Sequence, residues 1–436
     1  MPSRSPRFWR GWPTNEADMA QLSRDDEAFG GPLMSVEQAS ARAAGLTAPV
    51  SGSETLALGM ADGRVLAQAV LAGLDLPPFA NSAVDGYAVR FADLATAGDT
   101  VLALAGRIPA GMDAAGVATA GVAVRVFTGA PMPAGADTVF MQEDVAVEGG
   151  SVRLPAGLKP GANARPAGED IAAGEQAFAA GHRLRPQDLA LLAALGQMQV
   201  TVRRRPRVAI FSTGNELTEP GAALGPAAIY DANRSLLAAM VARAGGEVVD
   251  LGILRDEPES LARRLAEAAN GCDLILTSGG VSTGEEDHVR TALARAGSLA
   301  FWRIGIKPGR PVAMGTVGAT PFVGLPGNPV AVFVTFAFVA RPLLARLAGT
   351  AHKAPVALPV RLGFPYRKKE GRREYVRVSL SPGEDGVMVA RKHPQDGAGV
   401  LTSLTRTDGL VELPDDWTTV AEGALVPFYD YATLLA

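Results

Sequence analysis

Cysteine is nearly absent: Cys272 is the only one in 436 residues. An internal disulfide framework and a cysteine-rich zinc or iron–sulfur centre are therefore excluded, and a reducing cytoplasm is the expected setting. Histidine is scarce as well. His182, His288, His352 and His393 stand far apart, with no His-x-x-x-His pair, so a structural transition-metal centre is not expected. Positive charge is not in excess, since 41 Lys and Arg meet 45 Asp and Glu for a net charge of -4. General nucleic-acid and membrane-surface binding need a broad basic surplus, so an anionic ligand must be met here by a local cluster. Long uninterrupted apolar runs are lacking too. The most apolar stretch, 330–347, is broken by Arg341 and Pro342 and reads as a buried helix, not a membrane span. The N-terminus carries Arg4, Arg7 and Arg10 but no apolar targeting core, and residues 1–33 read as a mobile extension.

What remains is a folded globular composition, 47% apolar and 20% charged, with 50 Gly and 31 Pro spread through turns. The length exceeds one ordinary core, so several units with clefts between them are expected. The fold class expected is multidomain α/β plus β. A helical lead-in and linking domain is expected from 34–71 and 168–204, discontinuous in sequence, with helical spacing read around 54–70 and at 186–195. A small β-rich domain, 72–167, is inserted in it. A central three-layer α/β/α domain with a mainly parallel sheet spans 205–350, and a barrel-like β domain spans 351–436. Within the α/β part, strands are expected at 208–211, 248–251, 274–277, 302–306 and 322–324. Helices are expected at 231–244, 258–269, 287–296 and 329–347. Ligands in such sheets gather beyond the carboxyl ends of the strands.

Three loops at such ends carry chemistry. Ser278-Gly-Gly-Val-Ser-Thr-Gly-Glu-Glu-Asp287 offers hydroxyls and the free N–H groups of Gly279 and Gly280 to an oxyanion, without the lysine of a P-loop or a dinucleotide fingerprint. Lys307-Pro-Gly-Arg-Pro311 sets two cations, Lys307 and Arg310, on a rigid turn. Gly324-Leu-Pro-Gly-Asn-Pro329 leads into a helix N-terminus, a favourable place for negative charge. Glu216, Asp256 and Asp287 follow three different strands. Either they are separate surface acids, or they meet at one sheet edge as an oxygen set suited to Mg2+. Asp85 before Gly86 reads, on spacing alone, as a turn.

Several runs also resemble one family. Pro78-Phe-Ala-Asn-Ser-Ala-Val-Asp-Gly-Tyr-Ala-Val-Arg90 is similar to the signature of the molybdopterin molybdenumtransferases, the MoeA and gephyrin E-domain family. Thr128-Gly-Ala-Pro-Met-Pro, Phe211-Ser-Thr-Gly-Asn-Glu-Leu217, Tyr230-Asp-Ala-Asn-Arg234 and the three loops above follow in the family's order. The resemblance implies an enzyme that takes adenylylated molybdopterin and molybdate, cleaves the phosphoanhydride, and releases AMP and molybdenum cofactor with the help of Mg2+. A molybdopterin adenylyltransferase would supply the substrate. By matching positions, it implies that Glu216, Asp256 and Asp287 serve Mg2+ and the adenylate. Gly279, Gly280, Ser282, Arg303, Lys307, Arg310, Pro311 and Arg377 would lie on the molybdate and pterin-phosphate side, with Pro326, Asn328 and Pro329 forming the adjacent turn. Asp85 and Thr128 would reach the pocket of another subunit, which implies a homodimer. Three positions depart from the family pattern: Arg303 stands where Lys is common, Ala398 where a serine is expected, and Val84 where Met is common. A dimeric scaffold of the gephyrin type and a tungsten-inserting paralogue are the alternatives the resemblance leaves.

Overall fold

The computed structural model describes residues 33–117, 119–255, 257–280 and 297–435. The chain forms two compact units, one of residues up to Gly52 and from Arg204 onward, the other of Ser53–Arg203.

In the Ser53–Arg203 unit, a six-stranded sheet runs in the order Thr138–Met141, Gly86–Val89, Val122–Val126, Thr100–Ile108, Ser151–Leu154, Ala146–Glu148. The ends of the unit's chain come together, because Ser53–Ala57 pairs antiparallel with Gln199–Arg203. Leu66, Leu184, Leu192, Val200 and Val202 close a separate small core around helix Pro186–Ala194. The helical spacing read around 54–70 is not realised. Ser53–Ala57 is a strand followed by a single tight turn, Leu58–Met60, because its alternating residues have a partner strand to pair with.

The other unit begins with helix Val36–Gly45, capped by reciprocal hydrogen bonds between Ser35 and Gln38. Val36, Ala39 and Ala43 share one face of this helix and enter the core that also holds Val208, Leu237, Phe333 and Leu343. The helix therefore belongs with the α/β part, and the expected lead-in of 34–71 is divided at Gly52. The α/β sheet runs Glu247–Leu254, Arg207–Thr213, Leu274–Ser278, Thr320–Leu325, Pro311–Val317, Gly297–Arg303. Its first four strands are parallel and its last two antiparallel. Strand alternation sends Val208, Ile210, Leu274 and Leu276 to one face, packed with the helices Asn233–Arg243 and Pro329–Thr335. Ala209, Phe211 and Ile275 go to the other, against Leu261 and Leu265 of helix Pro258–Ala269. That is the expected three-layer sandwich. Strand Pro311–Val317 was not expected, since it opens on proline and is interrupted by Gly315, which shortens its alternating pattern.

Helix Pro329–Thr335 continues through a π-helical turn, Phe336–Ala340, into Arg341–Leu347. Among the described residues this is the one stretch long and apolar enough to cross a membrane, and 78% of its most apolar window is buried in the core. In the C-terminal part, Arg373–Pro382, Met388–Lys392, Leu358–Leu362, Leu425–Asp430 and Gly409–Leu413 pair in a ring that closes on itself around Val360, Val376, Val378, Val411 and Phe428. The short strand Ile306–Lys307, between two strands of the α/β sheet, pairs instead with Arg373–Glu374 of this barrel.

Candidate active site

The ends of the parallel strands and the near side of the barrel enclose a cavity of about 710 Å3. The buried strand-end residues Ser212 and Ser278 each precede a residue of its wall, Thr213 and Gly279. The Ser212 hydroxyl donates to Asp231 Oδ1 at 3.0 Å and lies 3.2 Å from the Ser278 hydroxyl. Asp231, buried, also accepts from Arg234 Nε at 3.0 Å. The polar groups of this network pair with one another, and it fixes two strand ends and one helix start below the cavity.

Above it, Gly279 N–H donates to the Leu325 carbonyl at 3.1 Å, so the Gly279–Gly280 loop and the 325–328 turn lie side by side on the cavity wall. Asn233 Nδ2 fixes the turn through the Gly327 carbonyl at 2.7 Å. Pro326 and Asn328 line the cavity, while Pro329 opens the helix without itself being part of the wall. The helix terminus has less to give an anion than its sequence suggests. Pro329 has no N–H, and Val330 N–H is taken by the Ala398 carbonyl at 3.1 Å.

Glu216 lines the cavity with its carboxylate folded over Gly214, where a Cβ would stand 2.5 Å from Oε2. The exposed Glu216 carboxylate could swing away from such a Cβ, so what favours glycine at 214 is its φ of +151°. Lys307, Pro308, Gly309 and Pro311 form the opposite wall. Lys307 Nζ donates to Glu374 Oε2 at 2.9 Å, and the Tyr366 hydroxyl donates to the same oxygen at 2.9 Å. Burial, and next the Glu374 carboxylate, push the Tyr366 phenol well above its ordinary pKa, so it stays a hydrogen-bond donor.

Arg377 lines the cavity from the barrel but is largely committed within it. Nε donates to Ser403 Oγ at 3.0 Å, and Nη2 to the carbonyls of Gln395 and Gly397 at 3.2 Å each. Burial lowers its pKa from the usual guanidinium value. Ala398 presents only a methyl group and backbone to the cavity.

Of the residues expected from sequence, Glu216, Gly279, Gly280, Lys307, Pro311, Pro326, Asn328 and Arg377 therefore meet at one cavity. Arg303 and Arg310 are not on its wall. Arg303 faces Pro311 across an antiparallel pair, and its carbonyl accepts from Met34 N–H. Arg310 turns its Nε into the protein, where it has no hydrogen-bond partner among the described residues. Asp256, Ser282 and Asp287 lie outside the described residues, as does the helix expected at 287–296. In the Ser53–Arg203 unit, Asp85 Oδ1 accepts from both the backbone N–H and the hydroxyl of Thr128, at 2.8 Å each. The backbone bond first, then the hydroxyl, holds the Asp85 carboxyl below its usual pKa. This is more than the turn that spacing suggests, because two distant segments are clasped by one oxygen.

The spacing of these elements has close parallels. Residues 34–196 match the family model described as the MoeA N-terminal region (domains I and II), 209–346 the probable molybdopterin binding domain, and 359–431 the MoeA C-terminal region (domain IV). A molybdopterin molybdenumtransferase of Haemophilus influenzae is 35% identical over 88% of this chain and 95% of its own length.

The chain belongs to the MoeA family of molybdopterin molybdenumtransferases.

Another such transferase, from Nostoc, is 37% identical over 85% of this chain and 87% of its own. The crystal structure of the molybdopterin biosynthesis MoeA protein of Pyrococcus horikoshii superposes with a TM-score of 0.78 at 32% identity, covering 92% of this chain and 100% of that one. The protein is thus an enzyme of molybdenum cofactor biosynthesis. Among the polar side chains on this cavity, sequence reasoning missed Tyr366, Glu374 and Asp396. A signal existed for one of them. Glu374 alternates with Val376 and Val378 in Arg-Glu-Tyr-Val-Arg-Val, an acid on the apolar side of a strand, which needs a partner.

Whether the residues suit Mg2+ can be tested on the donors described. Among the described residues no group of three His, Cys, Asp or Glu side chains stands ready to hold a metal, and of the three acids expected for it only Glu216 is described. Glu216 alone does not make a metal site, so the described residues by themselves give Mg2+ no complete set of ligands.

Proposed function

We propose that the enzyme inserts molybdate into adenylylated molybdopterin, breaking the phosphoanhydride and releasing AMP and the finished cofactor. The observation that carries this reading is the meeting of Glu216, the Gly279–Gly280 loop and the Lys307 segment on one cavity. The Gly279 N–H, expected to be free, is held by the Leu325 carbonyl, so the loop's contribution to a phosphate is assigned to Gly280. Lys307 offers an ammonium to a tetrahedral dianion. Insertion is balanced without a redox partner, since the two thiol protons of molybdopterin leave with one oxygen of molybdate as water. Coupling it to anhydride hydrolysis makes it effectively irreversible.

Mg2+ is part of the proposal and would neutralise phosphate oxygens during cleavage. Asp256 and Asp287 are proposed to join Glu216 in holding it. Asp85 and Thr128 are proposed to act at the cavity of a second copy of the chain, which makes a homodimer the working unit. The single cysteine supports a cytoplasmic setting, with a molybdopterin adenylyltransferase as donor of the substrate.

The test is AMP release by the purified protein given adenylylated molybdopterin, molybdate and Mg2+, with tungstate in a parallel reaction. Release that depends on oxometalate, disappears with a chelator and is abolished in Asp287→Asn is the expected result. Near-normal turnover by Asp287→Asn would refute the role of the acids, and absence of AMP in every reaction would refute the substrate.

A further inference from the structure

Glu374 is an unexpected residue to find beside a site for a dianion. Among the described residues the cavity wall carries two cations, Lys307 and Arg377, against three carboxylates, Glu216, Glu374 and Asp396. Arg377 spends Nε and Nη2 inside the barrel, so Lys307 is the better placed cation for a ligand. A lysine on a flexible stem is a poor oxyanion holder unless something fixes it, because ordering the side chain costs rotamer entropy on binding. Glu374 supplies the fixing. Its side chain is 2% exposed while that of Lys307 is 51% exposed, so the anchor is buried and the held group faces open space. The two residues stand opposite each other in the parallel pairing of Ile306–Lys307 with Arg373–Glu374, which sets the distance by backbone register. Tyr366 fixes the carboxylate in turn, through the oxygen that Lys307 uses. Oε1 of Glu374 is buried with no partner among the described residues, so the carboxylate spends one oxygen on the ammonium and does not surround it. One of the three N–H donors of Lys307 is engaged this way, which leaves two for a ligand.

We infer that Glu374 is the positioning residue of the oxometalate site, acting through Lys307, with Tyr366 holding the carboxylate in place. The inference rests on the proposed function, in which Lys307 meets the molybdate. It gives a prediction opposite in sign to simple electrostatics. Taking a negative charge from the wall of an anion site should tighten oxyanion binding by Coulomb's law alone. Losing the anchor of the ammonium should weaken it.

The experiment is calorimetric titration of the full-length protein with molybdate alone, for the wild type, Glu374→Gln, Glu374→Asp and Tyr366→Phe, with the steady-state KM for molybdate and kcat measured on each. Expected is a loss of roughly tenfold in molybdate affinity for Glu374→Gln, the scale of one charge-assisted hydrogen bond. The loss should appear in KM for molybdate with a smaller effect on kcat. Glu374→Asp and Tyr366→Phe, which keep the charge, should lie between that variant and the wild type. They also serve where Glu374→Gln does not fold. Wild-type binding with equal or tighter binding by Glu374→Gln, or by both charge-keeping variants, overturns the inference and leaves the proposed function standing. No binding of molybdate by the wild type overturns both.

Discussion

Replacing Lys307 by methionine should loosen the barrel as well as weaken the site. The lysine is half exposed, and judged by that alone its loss would cost little, as exposed ion pairs contribute a few tenths of a kcal/mol. Its partner decides otherwise. Glu374 is buried, and among the described residues its Oε1 lacks a donor and its carboxylate would keep only the Tyr366 hydroxyl without Lys307. Stripping one partner from a fully buried pair costs about 3–5 kcal/mol. The exposure of the lysine end allows some water to replace it, which brings the expected cost to about 2 kcal/mol. That penalty should be felt where the acid sits, in strand Arg373–Pro382. Hydrogen–deuterium exchange of its amides should accelerate by about thirtyfold, the equivalent of that free energy. Strands of the Ser53–Arg203 unit should be unaffected. Lys307→Arg, which keeps a donor and a charge, should recover most of the protection. Exchange in Arg373–Pro382 changed by less than about twofold in Lys307→Met would refute the reasoning that this acid depends on its lysine.

Gly309→Ala should destabilise the protein by about 2–4 kcal/mol, because its φ of +116° suits glycine and a Cβ would stand 2.5 Å from Thr335 Cγ2. Urea unfolding measures this, and a loss below about 0.5 kcal/mol would contradict it. Asp188 accepts from the backbone, Nε and Nη2 of Arg185 and is bonded to His182, and the Arg185 side chain chiefly lowers its pKa to about 2. A folded pKa below the unfolded one means stabilisation that is full above about pH 4 and vanishes as the pH falls through 2. Asp188→Asn should accordingly be less stable than the wild type by about 2 kcal/mol at pH 7, with the gap closing between pH 4 and 2. A gap independent of pH in acid unfolding would disprove the assignment.

Much of this was legible in the sequence wherever chemistry and backbone shape fall in one short run. Ser-Gly-Gly, Lys-Pro-Gly-Arg-Pro and Leu-Pro-Gly-Asn each announce a turn at a strand end, and the parallel sheet brings their Gly279, Lys307 and Asn328 to one cavity. Spacing could not reveal which cations of those turns face inward. Lys307 and Arg310 look equivalent in sequence, yet pairing of Ile306–Lys307 with the barrel directs one to the cavity, while the other has a buried Nε without a partner among the described residues. Glu374 comes from a strand whose partners are set by the closing of a ring, and Tyr366 from a short strand held by Thr419–Val420, tertiary facts that no local pattern carries. The same holds for helix Val36–Gly45, whose apolar stripe shows that it must be covered but not by what.

The two-residue strand Ile306–Lys307 has one further consequence. Flanked on both sides by strands of the sandwich yet hydrogen-bonded to the barrel, it works as a rivet between them. A shortened chain ending near residue 350 would retain every glycine loop and the lysine itself, but the segment bearing that lysine would have nothing to lie against. Such a fragment would keep the alphabet of the site and lose its spelling, which makes the last fifth of the chain a part of the chemistry and not an appendage to it.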